Sequence, residues 1–166
     1  NVNKIALLRN ARGGDYPSIK EFSKICIDSG CQGITVHPRD DMRHINPEDV
    51  KVLKELTKES EVEFNIEGNP FSEKKEKYPG FLQLIKSYQP DQCTLVPDAS
   101  SQLTSDHGWD LLGDNSRLAS LIKTIKTYGS RVSLFMDPSE EGISKAKEVG
   151  ADRIELYTGP YAEAVK

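Results

Sequence analysis

The sequence predicts an α/β fold, a (β/α)8 TIM barrel of which the first six βα units are present, on three observations. Short β-type runs alternate with helical patterns along all 166 residues. Helix-ending glycines recur just ahead of strands, in Gly30-Cys31-Gln32-Gly33-Ile34, Gly129-Ser130-Arg131-Val132 and Gly150-Ala151-Asp152-Arg153-Ile154. Short αβ connections of this kind, repeated, belong to a parallel sheet with crossover helices. Third, one parity of the strands is repeatedly polar. Thr35 and His37 oppose Ile34 and Val36, Asn65 and Glu67 oppose Phe64 and Ile66, and Glu155 opposes Ile154 and Leu156.

The elements follow in order. Val2–Leu8 reads as a first strand, with Asn1 and Asn3 sharing a side, and Pro17–Asp28 as a helix with Ile19, Phe22 and Cys26 on one face. Gly33–His37 is the second strand. Asn46 then reads as an N-cap, with Pro47 at the first helical position and Glu48 and Asp49 in the favourable first turn. Val50, Leu53 and Leu56 form that helix's apolar stripe. Glu63–Glu67 is a strand, and Phe81–Tyr88 a helix with Phe81, Leu84, Ile85 and Tyr88 sharing a face. Gln92–Val96 is a strand, followed by the clearest helix, Leu118–Tyr128. Val132–Met136, Ser139–Val149 and Arg153–Tyr157 complete the chain as strand, helix and strand.

Two architectures fit this order, a doubly wound open sheet and a barrel. A sheet covered by helices on both faces should be apolar on both. Strands surrounding a polar site should be apolar on one parity only, and that favours the barrel. A closed barrel takes about 250 residues and eight βα units. The sequence is therefore expected to be one partial barrel domain, residues 1–166, from a longer chain.

Composition narrows the function. The chain is 36% apolar with a net charge of −4, which gives one substantial core and no basic face for nucleic acid. No run of roughly 18 apolar residues is present, so no membrane span is expected. Cys26, Cys31 and Cys93 lack metal-type spacing and read as free thiols in a reducing cytoplasm.

The candidate chemistry gathers at predicted strand ends, where barrel active sites are built. His37 ends one such strand; position alone serves a hydrogen-bonded core histidine equally well. Arg39 and His44 follow as candidate phosphate ligands, whereas Asp40, Asp41 and Arg43 read as a solvated charged loop. Glu67 and Glu155 sit at corresponding strand tips, where partial desolvation should raise a carboxyl toward acid/base use. An ion pair with an arginine explains Glu67 as readily. The segment Leu8–Gly14 offers Arg9, Arg12 and a Gly pair for an anion but is no P-loop. The long polar stretch from Val96 to Asp110 has the length of a binding loop. Its Ser105 and His107 lack a nucleophile elbow, and the three histidines make a poor metal set, so no metal is expected.

The segments Asn1–Gly13, Gly33–Arg39 with Arg43-His44-Ile45, and Phe64-Asn65-Ile66-Glu67 closely resemble the pyridoxine 5′-phosphate synthase family. So do Leu95-Val96-Pro97 with Gln102-Leu103-Thr104, Val132-Ser133-Leu134-Phe135 and Ile154–Gly159, so the match runs in order along the whole chain. The resemblance implies a cytoplasmic homo-oligomer, an octamer, acting on small phosphorylated substrates without a cofactor. It implies condensation of 1-deoxy-D-xylulose 5-phosphate with 3-amino-2-oxopropyl phosphate, releasing phosphate and water. It makes His37 and Glu67 acid/base residues and gives Glu155 the stabilisation of charged intermediates. Arg39, His44, Arg12 and Thr104 then match positions that hold the sugar phosphate, and Asn1 and Asn3 match substrate contacts.

Two departures stand against that pattern. Many family members carry Asp-His where this chain has Asn3-Lys4, which leaves Asn3 a hydrogen-bonding role. The family's later His-Gly histidine and its glycine-rich turns for a second phosphate have no counterpart here. Two rival readings are a non-catalytic phosphometabolite-binding barrel and an aldolase or epimerase. The last would want a Schiff-base lysine or a metal set at strand tips, and no predicted strand ends in lysine.

Overall fold

Apolar residues at every second strand position, facing helices with apolar stripes, set the architecture of this chain. In the computed structural model, which describes residues 1–99 and 101–165, the elements run α1 (Asn3–Arg12), α2 (Ile19–Asp28), β1 (Gly33–Val36), α3 (Pro47–Glu59), β2 (Glu63–Gly68) and α4 (Phe81–Tyr88). They continue as β3 (Gln92–Leu95), α5 (Ser116–Thr127), β4 (Arg131–Met136), α6 (Glu140–Glu148), β5 (Arg153–Leu156) and α7 (Gly159–Ala164). All pairings are parallel, and the strands lie side by side in the order β1-β2-β3-β4-β5. A doubly wound sheet reverses its strand order at a switch point. This one never does, so the open-sheet alternative fails and the order is that of a barrel.

The core is one continuous cluster. Ile34, Val36, Phe64, Ile66, Cys93, Leu95, Val132, Leu134 and Met136 are the helix-facing strand parity, all buried. Against them pack Val50, Leu53 and Leu56 of α3, Phe81 and Ile85 of α4, and Leu118, Ile122 and Ile125 of α5. At roughly 1.5–3 kcal/mol for each large side chain fully buried, this face dominates the stability of the sheet. The start of α3 is set as its sequence suggests. Asn46 Oδ1 accepts from the Asp49 N–H at 2.9 Å and Asp49 Oδ2 from the Asn46 N–H at 2.9 Å, a reciprocal cap with Pro47 in the first turn.

The opposite parity stacks polar layers across the strands. At one end Arg131 Nη2 meets Glu63 Oε2 at 2.7 Å and Arg153 Nη1 donates to Gln92 Oε1 at 3.1 Å. Above them Asn65 Nδ2 donates to Thr35 Oγ1 at 3.3 Å, and Thr94 Oγ1 donates to Asn65 Oδ1 at 3.2 Å. The third layer, at the C-terminal strand ends, holds His37 and Glu67.

One element is corrected. Val2–Leu8, expected as the first strand, forms the N-cap and first turns of helix α1, so the sheet has five strands among the described residues rather than six. Val2 and Ala6 are the positions buried in this stretch, four apart, which is helical spacing. Alanine and leucine are strong helix formers, and the Gly13 C-cap at φ 66° ends the helix. A sheet-like bond survives at its head, from the Val2 N–H to the Thr35 carbonyl at 3.2 Å. A further helix, α7, follows β5 where no element was expected.

Candidate functional site

The polar strand ends converge on His37, one residue beyond β1. Its ring is nearly enclosed and lies between two carboxyls, with Nδ1 3.9 Å from Glu67 Oε2 and Nε2 3.5 Å from Asp98 Oδ2. Its backbone N–H donates to Asn3 Oδ1 at 2.8 Å, which fixes the strand tip. Burial, then the positive charge of Arg39, pushes the imidazole down to about 3. At neutral pH this ring is uncharged.

Glu67 is the penultimate residue of β2, on the same polar face, and Asn1 Nδ2 donates to its Oε2 at 3.3 Å. Burial and the like charge of Glu155 push its carboxyl up to about 8. The ordinary order of protonation is thus reversed: at pH 7 the carboxylic acid keeps its proton and the histidine lacks one. No arginine pairs with Glu67 among the described residues. Glu155 lies on the exposed strand β5, and its own carboxyl is shifted upward by partial desolvation.

The cationic loop after His37 is more occupied than its sequence suggests. Arg39 is 7% exposed, with Nη2 2.6 Å from Asp98 Oδ2 and Nη1 donating to the Gln102 carbonyl at 3.2 Å. Arg43, expected in a solvated charged loop, donates from Nη1 to the carbonyls of Gln102 at 2.9 Å and Leu103 at 3.0 Å, besides pairing with Asp41. His44 stands edge-on to His37 with ring centroids 6.1 Å apart. Burial, then the charge of Arg39, lowers it to about 4. Its Nδ1 accepts from the Ile45 N–H at 2.9 Å, so the neutral ring carries its proton on Nε2 and can donate from there.

The structure brings together His37, Glu67, Arg39, His44, Asn1 and Asn3, with Glu155 acting on Glu67 through its charge. Asn1 and Asn3 stand at the head of α1, not on a strand. Two expected ligands show no contact with these residues among the described ones. Arg12 is exposed at the end of α1 with no ion pair, and Thr104 is exposed in the β3–α5 loop with no hydrogen bond among the described residues. Arg9 is already paired, because its Nη1 and Nη2 grip the Asp49 carboxylate at 2.5 and 2.8 Å. Ser105 and His107 do not form a nucleophile–base pair: Ser105 Oγ donates to Asp98 at 2.9 Å, and His107 Nδ1 lies 2.6 Å from Asp106.

Asp98 is the residue that sequence reading missed. Buried just past β3, its Oδ2 serves Arg39 and Ser105 while its Oδ1 has no partner among the described residues. The signal available was position, a carboxylate three residues after the buried Leu95 strand end. It was hidden by the long polar run that follows. No cluster of three or more His, Cys, Asp or Glu among the described residues is placed to hold a metal, and no helix among them is long and apolar enough to cross a membrane. The three cysteines are free thiols.

Such an arrangement sets a protonated acid, a neutral imidazole and the Arg39 guanidinium within one polar mouth. Comparison with known proteins supplies its lineage. The family model described as "Pyridoxal phosphate biosynthesis protein PdxJ" matches residues 1–166. The pyridoxine 5′-phosphate synthase of Xanthomonas axonopodis pv. citri is 57% identical over 164 residues, covering 99% of this chain and 64% of that protein. That of Xanthomonas campestris pv. campestris (strain B100) is likewise 57% identical over 164 residues, with the same coverage. The chain therefore spans 64% of the length of these curated relatives. Among solved structures, deoxyribose phosphate aldolase from Aeropyrum pernix superposes with a TM-score of 0.55 at 14% identity, over 86% of this chain and 57% of that one. That likeness concerns the fold alone, and it agrees with the barrel order of the strands.

Proposed function

The chain belongs to the PdxJ family of pyridoxal phosphate biosynthesis proteins, and on that premise we propose that the full-length protein is a pyridoxine 5′-phosphate synthase. It condenses 1-deoxy-D-xylulose 5-phosphate with 3-amino-2-oxopropyl phosphate and releases phosphate and water. One observation carries the reading: an acid that stays protonated at pH 7, Glu67, lies beside a histidine that stays neutral, His37.

Joining an amine to a ketone, expelling water and phosphate, and closing a ring all need protons delivered to oxygen and withdrawn from carbon or nitrogen. Glu67 is the donor in this scheme and His37 the acceptor, each in the form its role requires. Glu155 adds negative charge that favours cationic intermediates and keeps the Glu67 proton in place. The sugar phosphate is held by Arg39 and by the Nε2–H of His44, which fixes the reacting carbons against the acid/base pair. Asn1 and Asn3 orient Glu67 and the His37 backbone and face the substrate. Contacts from Arg12 and Thr104 to that phosphate rest on the family resemblance. A homo-octamer in the cytoplasm, with each chain contributing one barrel domain, completes the proposal; the free thiols suit a reducing compartment.

Kinetics on the full-length protein test the assignment. Glu67→Gln should fold and lose product formation by roughly 10²–10⁴-fold. Arg39→Ala should raise KM for the sugar phosphate more than it lowers kcat. Turnover near that of the unmodified protein in Glu67→Gln would refute the acid/base role.

A further inference from the structure

Asp98 stands between the two halves of the site, and none of the roles above uses it. Its Oδ2 is 2.6 Å from Arg39 Nη2 and 3.5 Å from His37 Nε2, so one oxygen is shared between the cation that grips phosphate and the ring that takes protons. The first contact is a hydrogen bond and the second is an approach without one. Asp98 Oδ1 is buried without a partner, and a cavity of about 10 Å³ lies between His37, Arg39, Asn69 and Asp98. The carboxylate therefore has both an unused acceptor and a little room to turn.

An incoming phosphate competes for the donors that Asp98 now holds. Arg39 cannot present Nη2 fully to an outside anion while Asp98 occupies it at 2.6 Å. Once released, Asp98 is a buried carboxylate that keeps the single Ser105 hydroxyl at 2.9 Å and has the His37 ring 3.5 Å away as a further donor. We propose that Asp98 is a positioning residue that trades partners, binding Arg39 in the empty site and turning to His37 Nε2–H when a phosphate takes Arg39. Occupancy of the anion site then arms the base. This inference rests on the placement of phosphate at Arg39 in the proposed function.

The exchange has a clear electrostatic sense. The groups facing His37 are Glu67 from β2, Asp98 and Ser105 from the β3–α5 loop, Asn3 from α1, and Arg39, Asp41, Arg43 and His44 from its own loop. In the empty site burial, Arg39, His44 and Arg43 all weaken the ring as a base. A bound phosphate neutralises Arg39 and frees Asp98, and both changes favour the imidazolium. With its Nε2–H held by Asp98, the ring keeps Nδ1, on the Glu67 side, as the accepting atom.

The test is histidine ¹⁵N NMR on the full-length protein, with and without saturating inorganic phosphate. In the unmodified protein phosphate should raise the protonation midpoint of His37 by about one pH unit or more, and the neutral ring should carry its proton on Nε2. In Asp98→Asn at least about half of that shift should vanish. An equal shift in Asp98→Asn overturns the coupling. So does a phosphate-bound neutral ring protonated on Nδ1 in the unmodified protein, a readout that needs no variant to fold. If Arg39→Ala binds inorganic phosphate as tightly as the unmodified protein, the phosphate placement and the coupling fall together.

Discussion

The two faces of this five-stranded sheet are made by the same backbone and differ only in which residues fall on alternate positions. On one, Ile34, Val36, Phe64, Ile66, Leu95 and Leu134 pack against α3, α4 and α5 with almost no exposure. On the other, Thr35, Asn65 and Thr94 bond to one another, and His37 and Glu67 crown them at the strand ends. The apolar face gains from burial without needing geometry. The polar face must satisfy each group it buries, and at the top layer burial and neighbouring charges move His37 and Glu67 away from their ordinary protonation. Shifted protonation of that kind is the property acid/base chemistry requires. The strand alternation thus separates stability from function within single strands.

Substitutions on either face should give different signatures. The largest loss is expected on the apolar side: Phe64→Ala empties a site of 0% exposure and should cost roughly 3–5 kcal/mol in a denaturant titration. Its effect should be the same at pH 5 and pH 9.

Glu67→Gln on the polar side should instead depend on pH, and with the opposite sign. Folding raises the Glu67 carboxyl from 4.5 to about 8, so the folded state loses stability as pH climbs through that window. The amide cannot ionise, so the variant should match the unmodified protein below pH 4.5 and exceed it at pH 9 by on the order of a few kcal/mol. His37 works at the other end: folding lowers it from 6.5 to about 3, and stability is lost as pH falls through that range.

Asn65→Ala is the smallest change and lies on the polar face beneath the site. It strips one partner each from Thr35 and Thr94 and should cost about 1–2 kcal/mol by chemical denaturation. The pH dependence of turnover should stay where it was. A shifted profile would mean that the middle layer takes part in the chemistry and that the two faces are less separable than described.

Much of this division was legible in the chain. The 2.0 period of β1 and β2 named the buried parity and the polar one, whereas the apolar parity read for β5, Ile154 and Leu156, stays exposed. The Asn46-Pro47 start of α3 was readable from capping chemistry. Strand-tip position singled out His37 and Glu67. Where reading failed, tertiary context was the cause. Val2–Leu8 looks like a strand by its apolar content, but Val2 and Ala6, four apart, are its buried positions, and that spacing needs a helix. Arg9, Arg39 and Arg43 look alike in sequence as open cations. Only the fold shows that Asp49, Asp98 and the Gln102 carbonyl already hold them. Asp98 was obscured for the same reason, since an acidic residue opening a polar loop carries no local mark of burial.

The central claim is that Glu67 is a carboxylic acid at the pH where its neighbour His37 is an uncharged base. Carboxyl ¹³C NMR of Glu67 in the full-length protein tests it most directly. Burial beside Glu155 should give a protonated carboxyl at pH 7 that titrates near 8. A carboxylate already ionised at pH 7, with a midpoint near the ordinary 4.5, would contradict it.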